Sequence, residues 1–184
     1  MRVSREQFRE NREKILQAAA RLFRERGFDE VGVADVMKEA GLTHGGFYGH
    51  FKSKDDLIAQ ATGEAARPFA EEWERIVEAE GPGALKTIAK RYLGEAHLKG
   101  PGSGCQIAAL GPEIARRAPQ DRAAVTEGVK SLVEVLQKAA PGVTEEERRK
   151  QALRAYASWV GAVVLARISD DEGFSREVRE AVAN

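Results

Sequence analysis

From Thr43 to Lys54 the chain reads Thr-His-Gly-Gly-Phe-Tyr-Gly-His-Phe-Lys-Ser-Lys. Most of its candidate chemistry is gathered there. Thr43, Tyr48, His50, Lys52 and Lys54 carry donors of the kind that meet phosphate oxygens, contacts that fix register without reading sequence. Phe47 and Phe51 stand one helical turn apart, so both point inward and leave His44, Gly45, Tyr48 and Gly49 on the outer face. Glycines at 45, 46 and 49 each cost about 1 kcal/mol relative to alanine in a helix interior. A helix tolerates that cost where its backbone must come close to another surface, such as a groove floor or a row of phosphates. Lys54 stands at a helix start, a favourable place for phosphate. Two other readings stay open: His44 as an ordinary surface residue, and His50 as a boundary histidine against Phe51.

Other chemistries find little here. The three histidines are His44, His50 and His97. No His-Glu-x-x-His helix, phosphate-cradling glycine loop with Lys-Ser/Thr, or nucleophile elbow is present, so neither an enzyme nor a cofactor is expected. The single cysteine, Cys105, rules out an intrachain disulfide and a cysteine-built zinc framework, and no metal site is expected. A helical protein-interaction module without a nucleic-acid role is the remaining competitor, and it leaves the glycine-rich helix unexplained.

The elements that position these groups read as helices throughout, with no alternating strand. Residues 5–26 place Phe8, Ile15, Ala19, Leu22 and Phe23 at helical spacing, and Gly27 ends that helix. Residues 33–40 form a short helix with Val33, Val36, Met37 and Ala40 inward. Gly41 and Leu42 make the turn, and 43–50 form a second short helix, N-capped by Thr43. Two short helices about such a turn are the plan of a helix-turn-helix. Ser53 caps the next helix, with Asp55 and Asp56 in its first turn. That helix runs from 54 to about 79, with Pro68 inside it as a kink or a break. Further helices are expected over 84–98, around 105–117, over 119–139, from the Thr144 capping box to about 169, and over 174–182.

With 184 residues and 42% hydrophobic content the chain can bury a real core. Net charge is zero, but residues 1–54 hold 11 Lys and Arg against 8 Asp and Glu, and residues 55–184 hold 18 against 21. A slightly basic end on an acidic body suits a molecule that offers one end to phosphates. The N-terminus, Met1-Arg2-Val3-Ser4-Arg5-Glu6, lacks an apolar signal core, and no apolar run approaches membrane-spanning length. A cytoplasmic protein is expected.

These residues resemble the TetR family of transcriptional regulators. The resemblance rests on Gly27-Phe28, on Val33 to Thr43 and on Phe47-Tyr48-Gly49-His50-Phe51-Lys52-Ser53-Lys54, and covers about the first third of the chain. Gly104 to Leu110 and Glu113 to Arg116 are similar to the body of one branch of that family. The resemblance implies an all-α fold: a helix-turn-helix DNA-binding domain over residues 1–53 and a helical ligand-binding and dimerisation domain over 54–184. It implies a homodimer, more often a repressor than an activator, which leaves a palindromic double-stranded operator when a small molecule enters the body. The family's phosphate contacts map onto Thr43, Tyr48, His50 and Lys54; His44 and Gly45 join them from the outward face. Gly32 and Gly49 depart from the family pattern and reduce the number of phosphate contacts. The two last long helices would form the dimer interface, and Ala152, Ala155, Ser158, Gly161, Ala162 and Ala166 permit close approach there. A buried helix of a monomer is the plain alternative. Family placement of the pocket makes Phe69, Trp73, Tyr92, Cys105, Ile107 and Trp159 its candidate liners, each also readable as core. Such a lining suits a hydrophobic or aromatic effector. Cys105 reads either as a reactive thiol at a helix start or as a buried inert one.

Overall fold

The computed structural model describes residues 4–183, so Met1, Arg2 and Val3 of the charged N-terminus, and Asn184, lie outside the described residues. Regular structure among the described residues is entirely helical. Helix α1 (Arg5–Arg26) starts where the Ser4 hydroxyl accepts the Gln7 N–H at 3.0 Å. It ends at Gly27, whose φ of 84° is open to glycine and strained for other residues. Helix α2 (Val33–Glu39) is short. Gly41 (φ 70°) turns the chain, and the Leu42 N–H returns to the Met37 carbonyl at 2.9 Å. A tight turn over His44–Gly46 then leads into α3 (Phe47–His50).

The expected helix over 54–79 is two helices, α4 (Lys54–Glu64) and α5 (Arg67–Glu80). Pro68 accounts for the break: it cannot donate to a continuing helix, and it sits in the first turn of α5 where no donor is required. The expected helix over 84–98 is likewise divided into α6 (Ala84–Tyr92) and α7 (Glu95–Lys99), with Gly94 extended between them. There follow α8 (Gln106–Ala115), α9 (Pro119–Ala139), α10 (Glu145–Ile168) and α11 (Glu172–Ala181). The Thr144 capping box is formed in both directions: the hydroxyl accepts the Glu147 N–H at 3.1 Å, and the Glu147 carboxylate accepts the Thr144 N–H at 3.0 Å.

Two apolar cores result. The first joins α1, α2 and α3 through Ile15, Leu22, Phe23, Val36, Met37, Phe47 and Phe51, and is closed by Leu57 and Ile58 of α4, Leu110 and Ile114 of α8 and Val125 of α9. The second fills the body with Trp73, Ile88, Tyr92, Leu132, Leu136, Tyr156 and Trp159. Ile107 packs against both. Polar bonds tie the two units together. Glu113 of α8 accepts the Phe28 N–H at 2.8 Å, just beyond the end of α1. Arg24 of α1 donates to the Gly102 carbonyl at 2.9 Å.

Helix α10 is apolar on two faces. Ala152, Ala162 and Ala166, expected at a dimer interface, are instead buried inside the protomer with Tyr156, Trp159 and Val163. The outward stripe is Leu153, Ala157, Gly161, Val164, Leu165 and Ile168, with Ile168 74% exposed. Both faces carry small and branched residues, and the expected set divides between them: Ser158 is exposed, and Gly161 lies on the outward stripe.

Candidate nucleic-acid interface

Phe47 and Phe51 anchor the α3 segment. Both are buried and stacked with centroids 5.7 Å apart, and Arg12 of α1 lies over the Phe51 ring at 4.6 Å. That anchoring turns the other side outward. Thr43, His44, Gly45, Tyr48 and Gly49 are exposed, and Tyr48 is 70% exposed. A Cβ added at Gly45 or Gly49 would meet nothing within 4 Å. No packing among the described residues therefore requires glycine at either position.

Thr43 corrects one expectation. It occupies the N-cap position, but its hydroxyl makes no capping bond. The first turn is tightened instead by the Gly46 N–H on the Thr43 carbonyl at 3.0 Å, and the regular helix begins only at Phe47 rather than near 43. Ser53 caps as expected, accepting the Asp56 N–H at 3.1 Å. The Asp56 carboxylate accepts the Lys52 N–H at 2.9 Å, and that bond, foremost, holds Asp56 below the usual carboxylate range. Lys54 opens α4 and is half-buried; Lys52 is exposed.

His50 has a firm structural setting. Its ring stacks on Phe8 at 4.2 Å, and its carbonyl accepts from Arg12 at 3.1 Å. Burial, then the neighbouring Arg12 charge, lowers the imidazole below its ordinary range, and its Nδ1 is buried without a partner among the described residues. The boundary contacts of His50 are thus present, while any donation to phosphate would come from a neutral ring. Sequence reasoning missed Phe8 and Arg12 as supports. The signal was their spacing, four residues apart on α1, which places both against α3.

The candidate pocket residues meet, but as a packed cluster. Trp73 sets its ring edge-on against Phe69, Tyr92 and Trp159, with centroids 6.1–6.4 Å apart. Tyr156, which sequence reasoning did not single out, completes the cluster at 6.0 Å. Trp73, Tyr92, Cys105 and Trp159 are buried, Phe69 and Ile107 half-buried. The Cys105 sulfur lies 3.4 Å from the Tyr156 hydroxyl, and burial pushes the Tyr92 and Tyr156 phenols up. His97 Nε2 accepts the Cys105 N–H at 2.8 Å, and burial holds that imidazole below its ordinary range. Among the described residues, no group of three or more His, Cys, Asp or Glu is arranged to hold a metal ion, and no helix is long and apolar enough to cross a membrane.

A short, exposed, glycine-rich helix presented by a buried hydrophobic floor defines a helix-turn-helix, here carried on an all-helical body. Residues 15–61 match the family model of bacterial regulatory proteins of the tetR family. The HTH-type transcriptional repressor NemR of Escherichia coli strain K12 is 28% identical over 173 residues, 87% of this chain and 85% of that protein. The crystal structure of reduced E. coli NemR superposes with a TM-score of 0.76 over 94% of this chain and 95% of that one, at 22% identity. A TetR-family regulator from Agrobacterium tumefaciens superposes at 0.77 over 95% and 96%, at 19% identity. Residues 15–61 thus match the tetR-family DNA-binding unit, and the chain resembles HTH-type transcriptional regulators over most of its length.

Proposed function

We propose that the chain is a homodimeric, sequence-specific regulator of transcription, a repressor that holds a palindromic operator and leaves it when a small hydrophobic or aromatic molecule binds the body. It would act in the cytoplasm, with the DNA-binding unit over 1–53 and the effector and dimer unit over 54–184. The observation that carries the reading is the exposed α3 face with Gly45 and Gly49 open to solvent. Thr43, Tyr48, His50 and Lys54 are the phosphate contacts of this reading, and His44 and Gly45 face the groove. No catalytic role is assigned.

The dimer is supported by the outward stripe of α10. Leu153, Val164, Leu165 and Ile168 are each more than a third exposed. Side chains of that size gain about 1.5–3 kcal/mol when moved from water to full burial. A second copy of the same stripe would cover them by two-fold symmetry, which the two half-sites of a palindrome then mirror.

The route from effector to DNA is supported by the bonds between the units. Cys105 sits in the aromatic cluster and directly follows the turn whose Gly102 carbonyl holds Arg24 of α1. A ligand that rearranges the cluster would move that turn and α1 with it. The test is titration of a fluorescent duplex carrying the operator at two salt concentrations. Phosphate-driven binding weakens by orders of magnitude between about 50 and 200 mM salt. Binding that ignores salt would favour a protein-interaction module instead.

A further inference from the structure

We propose that the groove between α6, the α9–α10 connection and the end of α11 is a binding site for organic anions with an apolar body. Its effector role rests on the regulator reading above; its binding does not. The groove has a volume of about 970 Å³, within the range of small-molecule sites. Its apolar surface comes from Leu85, Ala155 and Val182, with Ala89 and Trp159 buried beneath. Among the described residues four cations line it, Lys86, Lys138, Arg148 and Arg154, and no Asp or Glu does.

The cations differ in what already occupies them. Lys138 pairs with Glu74, outside the lining, and Arg148 donates to the Val143 carbonyl at 3.2 Å. Lys86 and Arg154 make no hydrogen bond or ion pair among the described residues, and both are exposed, so their charges are available to a ligand. Like charges around one apolar floor, with no Asp or Glu among the described lining residues, repel one another and are relieved by an anion. A carboxylate, sulfonate or phosphate ester would take the cations while its apolar part lies on Leu85, Ala155 and Val182.

The floor links this groove to the body. Trp159 packs edge-on against Trp73 and tilted against Tyr92, and its indole N–H donates to the Val182 carbonyl at 3.2 Å, which ties down the end of α11. An occupant bearing on Val182 therefore acts on the residue that ties the buried Trp159 indole, and with it the aromatic cluster, to the end of α11. The groove also lies on a face of α10 beside the outward stripe, since Arg154, Ala155 and Ser158 line it while Leu153, Ala157 and Val164 do not.

The test is isothermal titration of the full chain with 2-naphthoate and with its neutral isostere 2-naphthamide. The acid is expected to bind at least about tenfold more tightly, since charge-assisted bonds are available to it alone. The surface variant Lys86→Ala/Arg154→Ala is expected to lose that preference, Lys86→Arg/Arg154→Lys to keep it, and Arg75→Ala, on α5 outside the groove, to leave it unchanged. Equal affinity for acid and amide, or full acid affinity in Lys86→Ala/Arg154→Ala, would overturn the site. Duplex binding is read on the same samples: acid that binds in the groove and weakens DNA binding supports the effector role, and acid that binds without affecting DNA overturns that role while the anion site stands.

Discussion

Tyr48 is the residue on which the proposed DNA contact is most open to test. Its ring stands edge-on to the buried Phe47 at 5.2 Å, yet most of its surface faces solvent. Tyr48→Ala removes that outward donor and no core. It is expected to weaken operator binding by about tenfold, the worth of one good phosphate hydrogen bond, with an unchanged thermal midpoint; fluorescence anisotropy and a melting curve read both. His97 makes a prediction in pH. Its Nε2 accepts the Cys105 N–H and its Nδ1 donates to the Tyr92 carbonyl, so the folded ring is needed neutral. Its folded pKa lies below that of the unfolded chain. The unfolded chain therefore takes up the proton first: the stabilisation is present above about pH 6.5 and is lost as pH falls through the folded value. The shift at His50 has the same sign. The melting temperature is expected to drop between neutral pH and about pH 5, and His97→Gln to flatten that drop. A wild-type melting temperature flat across that range would contradict it.

At the scale of elements, the joint between α1 and α8 bears the most consequence. Glu113 accepts the Phe28 N–H, and its carboxylate lies where a Cβ on Gly27 would come within 3.0 Å. Glu113→Ala leaves the Phe28 N–H without that acceptor and is expected to cost about 1–3 kcal/mol in chemical denaturation; no change would show that water replaces the carboxylate. Elements whose ends are set by local chemistry were legible in the sequence. Ser53, Thr144 and Gly27 act as a cap, a capping box and a left-handed stop because each interaction spans only a few residues. The break at Pro68 was half-legible, since a kink and a split differ only in how the neighbouring helices pack. Gly94 gave no comparable warning. The Thr43 cap failed because a tight turn satisfied the same backbone first. The contacts of His50 with Phe8 and Arg12 were illegible locally, as they join segments about forty residues apart in the chain. The small residues of α10 were legible only as a set, because a helix apolar on two sides gives no periodic signal for which side the protomer covers.

At the scale of the whole molecule, the body holds the helix-turn-helix by buried contacts from α4, α8 and α9, so the two units are expected to unfold together. The outward stripe of α10 is expected to set the oligomeric state. Leu153→Glu/Leu165→Glu places two charges on exposed positions and is expected to give a folded monomer by light scattering coupled to gel filtration. A dimer that persists would move the interface elsewhere. Because one protomer presents a single short α3, loss of the dimer is expected to cost more DNA affinity than any single contact. The central claim, that two copies of this face read DNA, is tested most directly by selecting bound duplexes from a random library at near-physiological salt and sequencing them. The account predicts an enriched palindrome with half-sites about one helical turn, or a multiple of it, apart. No enriched sequence from protein shown to be folded and dimeric would contradict it.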